Sequence, residues 1–344
     1  MPASTRRLDT IKDQVFVLAI AEGFFGASIL FALLQLDLFS LIGIGERAVS
    51  DLASTVGAPT EHLQRLLNAG VVIGLLESDD GTRYRLSPQS RSVLLPGSDE
   101  RYVGDWIRNM DMFRRALADL DVAVTSGSPT VDPTAHLGSS DEETQDFILA
   151  MHDYAALRGA ELGRFLDTSD ASSVLDLGCG PGTYAFQLGM ANPDLELNLL
   201  DLPGVLEVAR ELQSRYDLKN PVNYLPVDVT REPIPGEYDL VLVSNTLHML
   251  GEQASRDLIR RLVDNVSPGG SLVIQAQFLA NHRMGGRWPV YLDLIQMCIT
   301  EEGRNHTEAE TRSWMEAAGF TDITYVPMSL VNTNSFLRGY RPAS

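Results

Sequence analysis

The nine residues Val174-Leu-Asp-Leu-Gly-Cys-Gly-Pro-Gly182 constrain the fold more than any other part of the chain. An apolar run ends in three glycines at alternate positions, and a helix-compatible segment follows from Tyr184. Glycine lets the backbone turn sharply after a strand and lie close against a ligand. Strand, glycine turn and helix in that order form the carboxyl edge at which a doubly wound sheet binds nucleosides. β-rich runs at 173–177, 195–200, 222–225, 238–243 and 271–275 alternate with helical segments. That spacing predicts a parallel α/β sheet buried on both faces.

The same stretch excludes two common cofactors. The dinucleotide pattern G-x-G-x-x-G needs glycine at 183, where Thr183 stands, and no G-x-x-x-x-G-K-[ST] phosphate loop is present. Acidic residues instead close successive strands. Asp176 lies in the first, Asp201 ends the second at the spacing of an acid that grips a ribose diol, and Asp228 follows the third.

The region ahead of this sheet reads differently. Val49–Val56 and Thr60–Ala69 have helical spacing, with Thr60 as the expected N-cap. Val71–Leu76, the turn Ser78-Asp-Asp-Gly81 and Thr82–Leu86 read as a β-hairpin. Helix, turn, helix and hairpin make a winged-helix pattern. Its DNA-binding use is poorly served by Arg65, Arg83 and Arg85 alone, and packing against a second subunit fits better. The apolar stretch Val15–Phe39 is interrupted by Glu22, Gly23, Gly26, Gln35 and Asp37, which predicts a buried helix rather than a membrane span or signal peptide. The Pro/Gly/Ser/Thr cluster Thr125–Pro133 marks a junction, giving a helical unit at 1–125 and an α/β unit at 126–344.

With 27 Lys and Arg against 46 Asp and Glu, the net charge of −19 opposes nucleic-acid binding. The two cysteines, Cys179 and Cys298, are too few for a disulfide framework or a metal knuckle, so no metal is expected and a reducing cytoplasm is the expected setting.

The segments Asp176–Gly182, Leu200-Asp-Leu-Pro203, Asp228, Ser244-Asn-Thr-Leu-His-Met-Leu250, Ser267-Pro-Gly-Gly270 and Gly303-Arg-Asn-His-Thr-Glu308, with the winged-helix unit in front, resemble the class I S-adenosylmethionine-dependent methyltransferases. The resemblance tightens towards the small-molecule O-methyltransferase family that includes plant phenylpropanoid and hydroxyindole enzymes. It implies a Rossmann-like α/β domain with a parallel-dominated sheet, preceded by a mostly helical winged-helix dimerisation domain. By resemblance, Gly178, Gly180 and Gly182 meet the cofactor's amino-acid moiety, Asp201 its ribose and Asp228 its adenine. Asp176, Leu202, Val229 and Ser244 join that cofactor set, and the product is S-adenosylhomocysteine. The resemblance also implies a homodimer and a catalytic base at His248, where a neutral imidazole takes the proton of an acceptor hydroxyl. His62, His136, His152, His282 and His306 have weaker claims.

Two departures stand out. The family's Asp-Trp after the histidine is Met249-Leu250 here, and its two flanking carboxylates align with Gln275 and Asn305. An amide orients an imidazole but does not compensate its charge. The acceptor is therefore either an acidic hydroxyl or a sulfur, nitrogen or carbon that needs no base. Candidate acceptor contacts are Met151, His152, Tyr154, Gln275, Tyr291, Gln296, Thr300 and Asn305, with Trp288, Leu294 and Met297 beside them, although such stripes also serve as ordinary core. Arg283, Arg287 and Arg304 are the cations available to an anionic acceptor. A winged-helix metabolite sensor and a purely structural role for the cofactor are the remaining alternatives.

Overall fold

The computed structural model describes residues 3–97, 102–132, 141–328 and 334–343. The chain divides into two compact units, Met1–Asp111 and Met112–Ser344. The boundary falls ahead of the expected junction at 125, inside helix Gly104–Ala116. Ala116 and Ala123 are fully buried with Ile295, Cys298 and Ile299, so packing assigns 112–126 to the second unit. Pro133 and His136 lie outside the described residues.

The first unit runs α1 (Ala3–Glu22), α2 (Phe24–Gln35), α3 (Leu38–Ile42), β1 (Glu46–Ala48), α4 (Val49–Val56), α5 (Thr60–Val72), β2 (Leu76–Glu77), β3 (Arg83–Leu86) and α6 (Pro88–Val93). Its sheet has the order β1-β3-β2, all antiparallel. Tyr84 is fully buried and donates to Asn68 Oδ1 on α5 at 2.7 Å, which ties the hairpin to the helix pair. The hairpin is shorter than expected because α5 carries its amphipathic pattern through Val72, and Pro59, not Thr60, is the N-cap. Arg65, Arg83 and Arg85 are each paired with acids: Glu61, Glu46, and Glu77 with Asp79.

The expectation of a buried helix at 15–39 holds only for its second half. Leu33, Leu34, Leu38 and Phe39 are core, whereas Val15, Phe16, Leu18, Ile20, Phe24 and Phe25 are all more than half exposed. Amphipathic spacing does not distinguish a face covered within the chain from one left open. Lys12–Gln35 is long and apolar enough to cross a membrane, with mean hydropathy 2.2, and 17% of it is buried.

The second unit begins in α7 (Gly104–Ala116) and continues with α8 (Leu120–Ser126), α9 (Asp141–Phe165), β4 (Ser173–Leu177), α10 (Thr183–Ala191), β5 (Glu196–Asp201), α11 (Pro203–Gln213), β6 (Val222–Pro226), β7 (Tyr238–Ser244), α12 (Glu252–Leu262), β8 (Val266–Ala276), α13 (Arg287–Ile299), α14 (Glu308–Ala318), β9 (Thr321–Pro327) and β10 (Ser335–Tyr340). Seven strands form one sheet in the order β6-β5-β4-β7-β8-β10-β9. The first five are parallel, and β10 inserts antiparallel between β8 and β9. Leu175, Leu177, Val241 and Ile274 fill one face, and Val174, Leu240, Leu242 and Val273 the other. The parallel pairing of β4 with both β5 and β7 puts their carboxyl ends side by side.

Candidate active site

After β4 the chain turns through Gly178, Gly180 and Gly182, whose φ values of 66°, 53° and 72° lie in the left-handed region. The glycines serve different ends. A Cβ on Gly178 would stand 2.9 Å from Thr246 Oγ1, and one on Gly182 would stand 2.5 Å from Leu199 Cδ2 and 2.8 Å from Phe186. One on Gly180 would meet nothing within 4 Å. Gly178 and Gly182 therefore let the loop pack against the segment after β7, against β5 and against α10, while Gly180 faces open space.

Asp201 holds this loop in place. One carboxylate oxygen accepts from Gly180 N–H at 2.8 Å and the other from Leu202 N–H at 2.7 Å. Asp176 is 1% exposed and neither oxygen makes a well-formed hydrogen bond among the described residues, the Ala185 N–H being the backbone donor that faces it. Burial and the neighbouring Asp201 raise its pKa to about 7. A buried and a half-buried carboxylate beside an open glycine backbone form a cradle that a cationic ligand completes. Asp228 lies past β6, where Thr230 donates to it through both hydroxyl and backbone, at 2.6 and 2.9 Å, and these bonds lower its pKa. Val229 follows it, half-buried. Ser244 closes β7, buried, with its hydroxyl accepting from Asn245 Nδ2 at 3.2 Å.

His248 sits in the short 3₁₀ turn Leu247–Met249, four residues beyond β7. Its buried Nδ1 has no partner among the described residues. Burial, reinforced by the neighbouring His306, pushes its pKa down to about 4, so the ring is neutral at physiological pH. The expected neighbours are amides. Gln275 is 1% exposed with both amide atoms unpartnered among the described residues, and it pairs with Ser244 across the β7–β8 ladder. Asn305 does not present its side-chain donor to the histidine: Nδ2 donates to Gln277 O at 2.7 Å and Pro289 O at 3.1 Å. Gly303 approaches so closely that a Cβ there would stand 2.9 Å from His248 O.

The remaining acceptor candidates divide. Gln296 and Thr300 are buried on one face of α13 and its C-terminus; Thr300 Oγ1 donates back to Gln296 O at 2.7 Å. Tyr291 and Leu294 point outward, 49% and 37% exposed. Tyr154 is buried on α9 and hydrogen bonded to Gln277 Nε2. Gln277 escaped the sequence reading, although its signal was present: Gln275 and Gln277 continue an apolar strand with polar residues on one face. His152, beside the half-buried Met151, shares a 2.8 Å hydrogen bond with Thr183 at the start of α10; burial and then Arg215 push its pKa down to about 4. His306 is structural: its Nε2 reaches Leu247 O at 3.2 Å and Ser255 Oγ at 3.1 Å, and its ring stands edge-on to Trp314. Arg283 and Arg304 are both paired with Glu310, and Arg287 is exposed.

Sheet order, glycine loop and strand-end acids define a nucleoside-binding enzyme of the Rossmann-like class. A model of the O-methyltransferase domain matches residues 111–321, and one of the O-methyltransferase dimerisation domain matches residues 18–96. The chain belongs to the O-methyltransferase family and is an S-adenosylmethionine-dependent methyltransferase. Among its relatives, the tetracenomycin polyketide synthesis 8-O-methyl transferase TcmO of Streptomyces glaucescens is 28% identical over 91% of this chain and 93% of its own length. The 3-hydroxy-5-methyl-1-naphthoate 3-O-methyltransferase of Streptomyces sahachiroi is 25% identical over 94% of each. The N,N-dimethyltransferase OxyT of Streptomyces rimosus is 26% identical over 92% and 93%. Human N-acetylserotonin methyltransferase, solved in complex with S-adenosylmethionine, shares the fold with a TM-score of 0.84 at 22% identity, covering 99% of both chains.

Proposed function

We propose that this chain transfers the methyl group to an aromatic hydroxyl of a small molecule, with His248 receiving the proton. The observation that carries this reading is a neutral, half-buried imidazole just past β7, its buried Nδ1 without a partner among the described residues, two residues beyond the Thr246 that packs on the glycine loop. S-adenosylmethionine, when bound, supplies an electrophilic methyl on a sulfonium. Gly180 leaves room for its amino-acid moiety, Asp201 supplies negative charge for a cationic cofactor, and Asp176, with a pKa raised to about 7, would be drawn to its ionised form by that cation. Asp228, Leu202, Val229 and Ser244 complete the proposed cofactor set.

An imidazole of such low basicity, with amides in place of carboxylates, does not by itself ionise an aliphatic alcohol. It serves an acceptor acidic enough to release its proton as the new bond forms, and a phenol, with a pKa near ~10, meets that condition. The names of two relatives, a polyketide-synthesis 8-O-methyl transferase and a 3-hydroxynaphthoate 3-O-methyltransferase, point the same way. The amide substitutions favour a second reading, transfer to an amine without a base, and OxyT is a relative with an N-methylating name.

The test is to incubate the protein with methyl-labelled S-adenosylmethionine and a panel of naphthols, alcohols, thioethers and aryl amines. Label on phenolic oxygen, falling by roughly 10²–10⁴ in rate in His248→Ala, supports the first reading. Label on nitrogen with His248→Ala unimpaired supports the second.

The exposed apolar residues Val15, Phe16, Leu18, Ile20, Phe24 and Phe25, overlapping a dimerisation-domain match, support a homodimer in which a second copy covers them. The arginines of the hairpin are already in ion pairs, which leaves the nucleic-acid reading without support. Two buried free cysteines accord with a cytoplasmic setting.

A further inference from the structure

We infer that His306 is a positioning residue for the methyl transfer: its Nε2–H holds the carbonyl of Leu247, the residue before His248, and so fixes the direction of the His248 imidazole. The inference rests on the reading of His248 as proton acceptor and names what aims it.

A reacting imidazole is ordinarily oriented through its other ring nitrogen, by a carboxylate or a carbonyl. His248 lacks that support. Its Nδ1 is buried with no partner among the described residues. The Asn305 amide nitrogen is spent on Gln277 O and Pro289 O, and both amide atoms of Gln275 are unpartnered among the described residues, so neither amide bonds to that nitrogen. The direction of the ring is therefore set by the main chain of the turn that carries it.

That turn is entered through Asn245, whose φ of 52° lies in the left-handed region and whose N–H donates to Gln275 O at 2.9 Å. A non-glycine residue stays in that region only where its surroundings over-determine it. At the far end the fixed point is Leu247 O. It accepts the turn's own bond from Leu250 N–H at 3.0 Å, and from outside the turn it is met by His306 Nε2 at 3.2 Å and, more loosely, by Ser255 Oγ at 3.4 Å.

His306 is equipped for this. A carbonyl can only accept, so the ring proton stands on Nε2. Burial lowers the pKa of His306, so at physiological pH the ring is neutral and carries that proton alone, with Nδ1 unpartnered among the described residues. The ring itself is locked. It is 3% exposed, edge-on to Trp314 of α14 with the centroids 4.9 Å apart. Its own carbonyl accepts from Leu279 N–H at 2.9 Å just past β8, and Thr307 next to it opens α14 with a capping box closed by Glu310. The anchor thus belongs to the frame of the sheet and α14, and a frame locked by packing is what holds a reacting group to its productive geometry.

The test compares His306→Phe, which keeps a ring against Trp314 and removes the donor, with His306→Gln, whose amide nitrogen reaches about as far as Nε2. With methyl-labelled S-adenosylmethionine and a naphthol, kcat in His306→Phe is expected to fall roughly 10–100-fold with both KM values within about twofold, and His306→Gln to recover most of the loss. In a His248→Ala background His306→Phe should cost nothing further, because it acts through that ring. A readout independent of turnover is the ring spectrum of protein labelled with 15N-histidine, in which His248 is assigned by its loss from His248→Ala. Its resonances are expected to move in His306→Phe, to return towards the wild-type position in His306→Gln, and to move less in Ser255→Ala. Unmoved resonances in His306→Phe, or in Ser255→Ala if the former does not fold, overturn the inference, and so does an additive loss of rate in the double variant. Moved resonances with full rate in His248→Ala would retain the hold on the ring and remove the proton-acceptor reading; a slow His248→Ala with unmoved resonances would do the reverse.

Discussion

Replacing Gly180 and Gly182 by alanine, one at a time, separates cofactor binding from stability within a single loop. Both positions have positive φ, so alanine at either costs about 1–2 kcal/mol of backbone strain. Gly182→Ala further drives a methyl to within 2.5 Å of Leu199 and 2.8 Å of Phe186, two fully buried side chains. Overpacking of that kind adds roughly 1–3 kcal/mol. At about 2–4 °C per kcal/mol for a unit of this size, Gly182→Ala should lower the melting temperature by roughly 4–20 °C. Gly180→Ala should lower it by only a few degrees. Its methyl meets no protein atom but fills the space left for the ligand, so S-adenosylhomocysteine affinity should fall about tenfold or more. Differential scanning fluorimetry and calorimetric titration read the two quantities separately. Equal melting losses would refute the packing assignment of Gly182. Unchanged affinity in Gly180→Ala would refute the assignment of that space to the cofactor.

Acid sensitivity should carry a histidine signature. His248 has a folded pKa of about 4, below its unfolded value of 6.5, so between these values the unfolded chain binds more protons and stability falls as pH drops through the window. The contribution lost is on the order of 3 kcal/mol. Asp176, raised to about 7, acts in the opposite sense as pH rises, so the readout is the difference between wild type and His248→Gln in urea titrations at pH 7.5, 6 and 5. Parallel pH curves would refute the shift. Light scattering should give twice the chain mass for the wild-type protein, with Phe16→Ser/Phe24→Ser/Phe25→Ser shifting it to the monomer; a monomeric wild type would remove the homodimer.

Much of the α/β unit was legible because parallel strands buried on both faces are continuous apolar runs; β4, β5, β7 and β8 lie where those runs do, while β6, found at its expected place, is an edge strand with no fully buried residue. Strands β9 and β10 were not legible. Thr321–Pro327 is almost wholly exposed, so it has no apolar face to display, and β10 reveals itself only through its partner β8. The glycine loop and its acids were plain in the sequence, because glycine at positive φ has few substitutes. Asn305 was assigned to the acceptor, yet its side chain holds Gln277 and Pro289 together, a role set by two carbonyls distant in sequence. The first helix pair shows a further limit: apolar periodicity specifies a face to be covered without saying which molecule covers it.

The insertion of β10 between β8 and β9 also bears on how the molecule is made. During synthesis β8 emerges directly after its parallel partner β7, but its other edge has no native partner until residues up to Tyr340 have left the ribosome. For that interval the stretch Ser271–Ala276, which later pairs with β10, offers a row of free backbone donors and acceptors, the template on which nascent chains of the same sequence join edge to edge. Pausing translation beyond β8 would lengthen this exposure, and a chaperone that caps strand edges would protect this interval in particular.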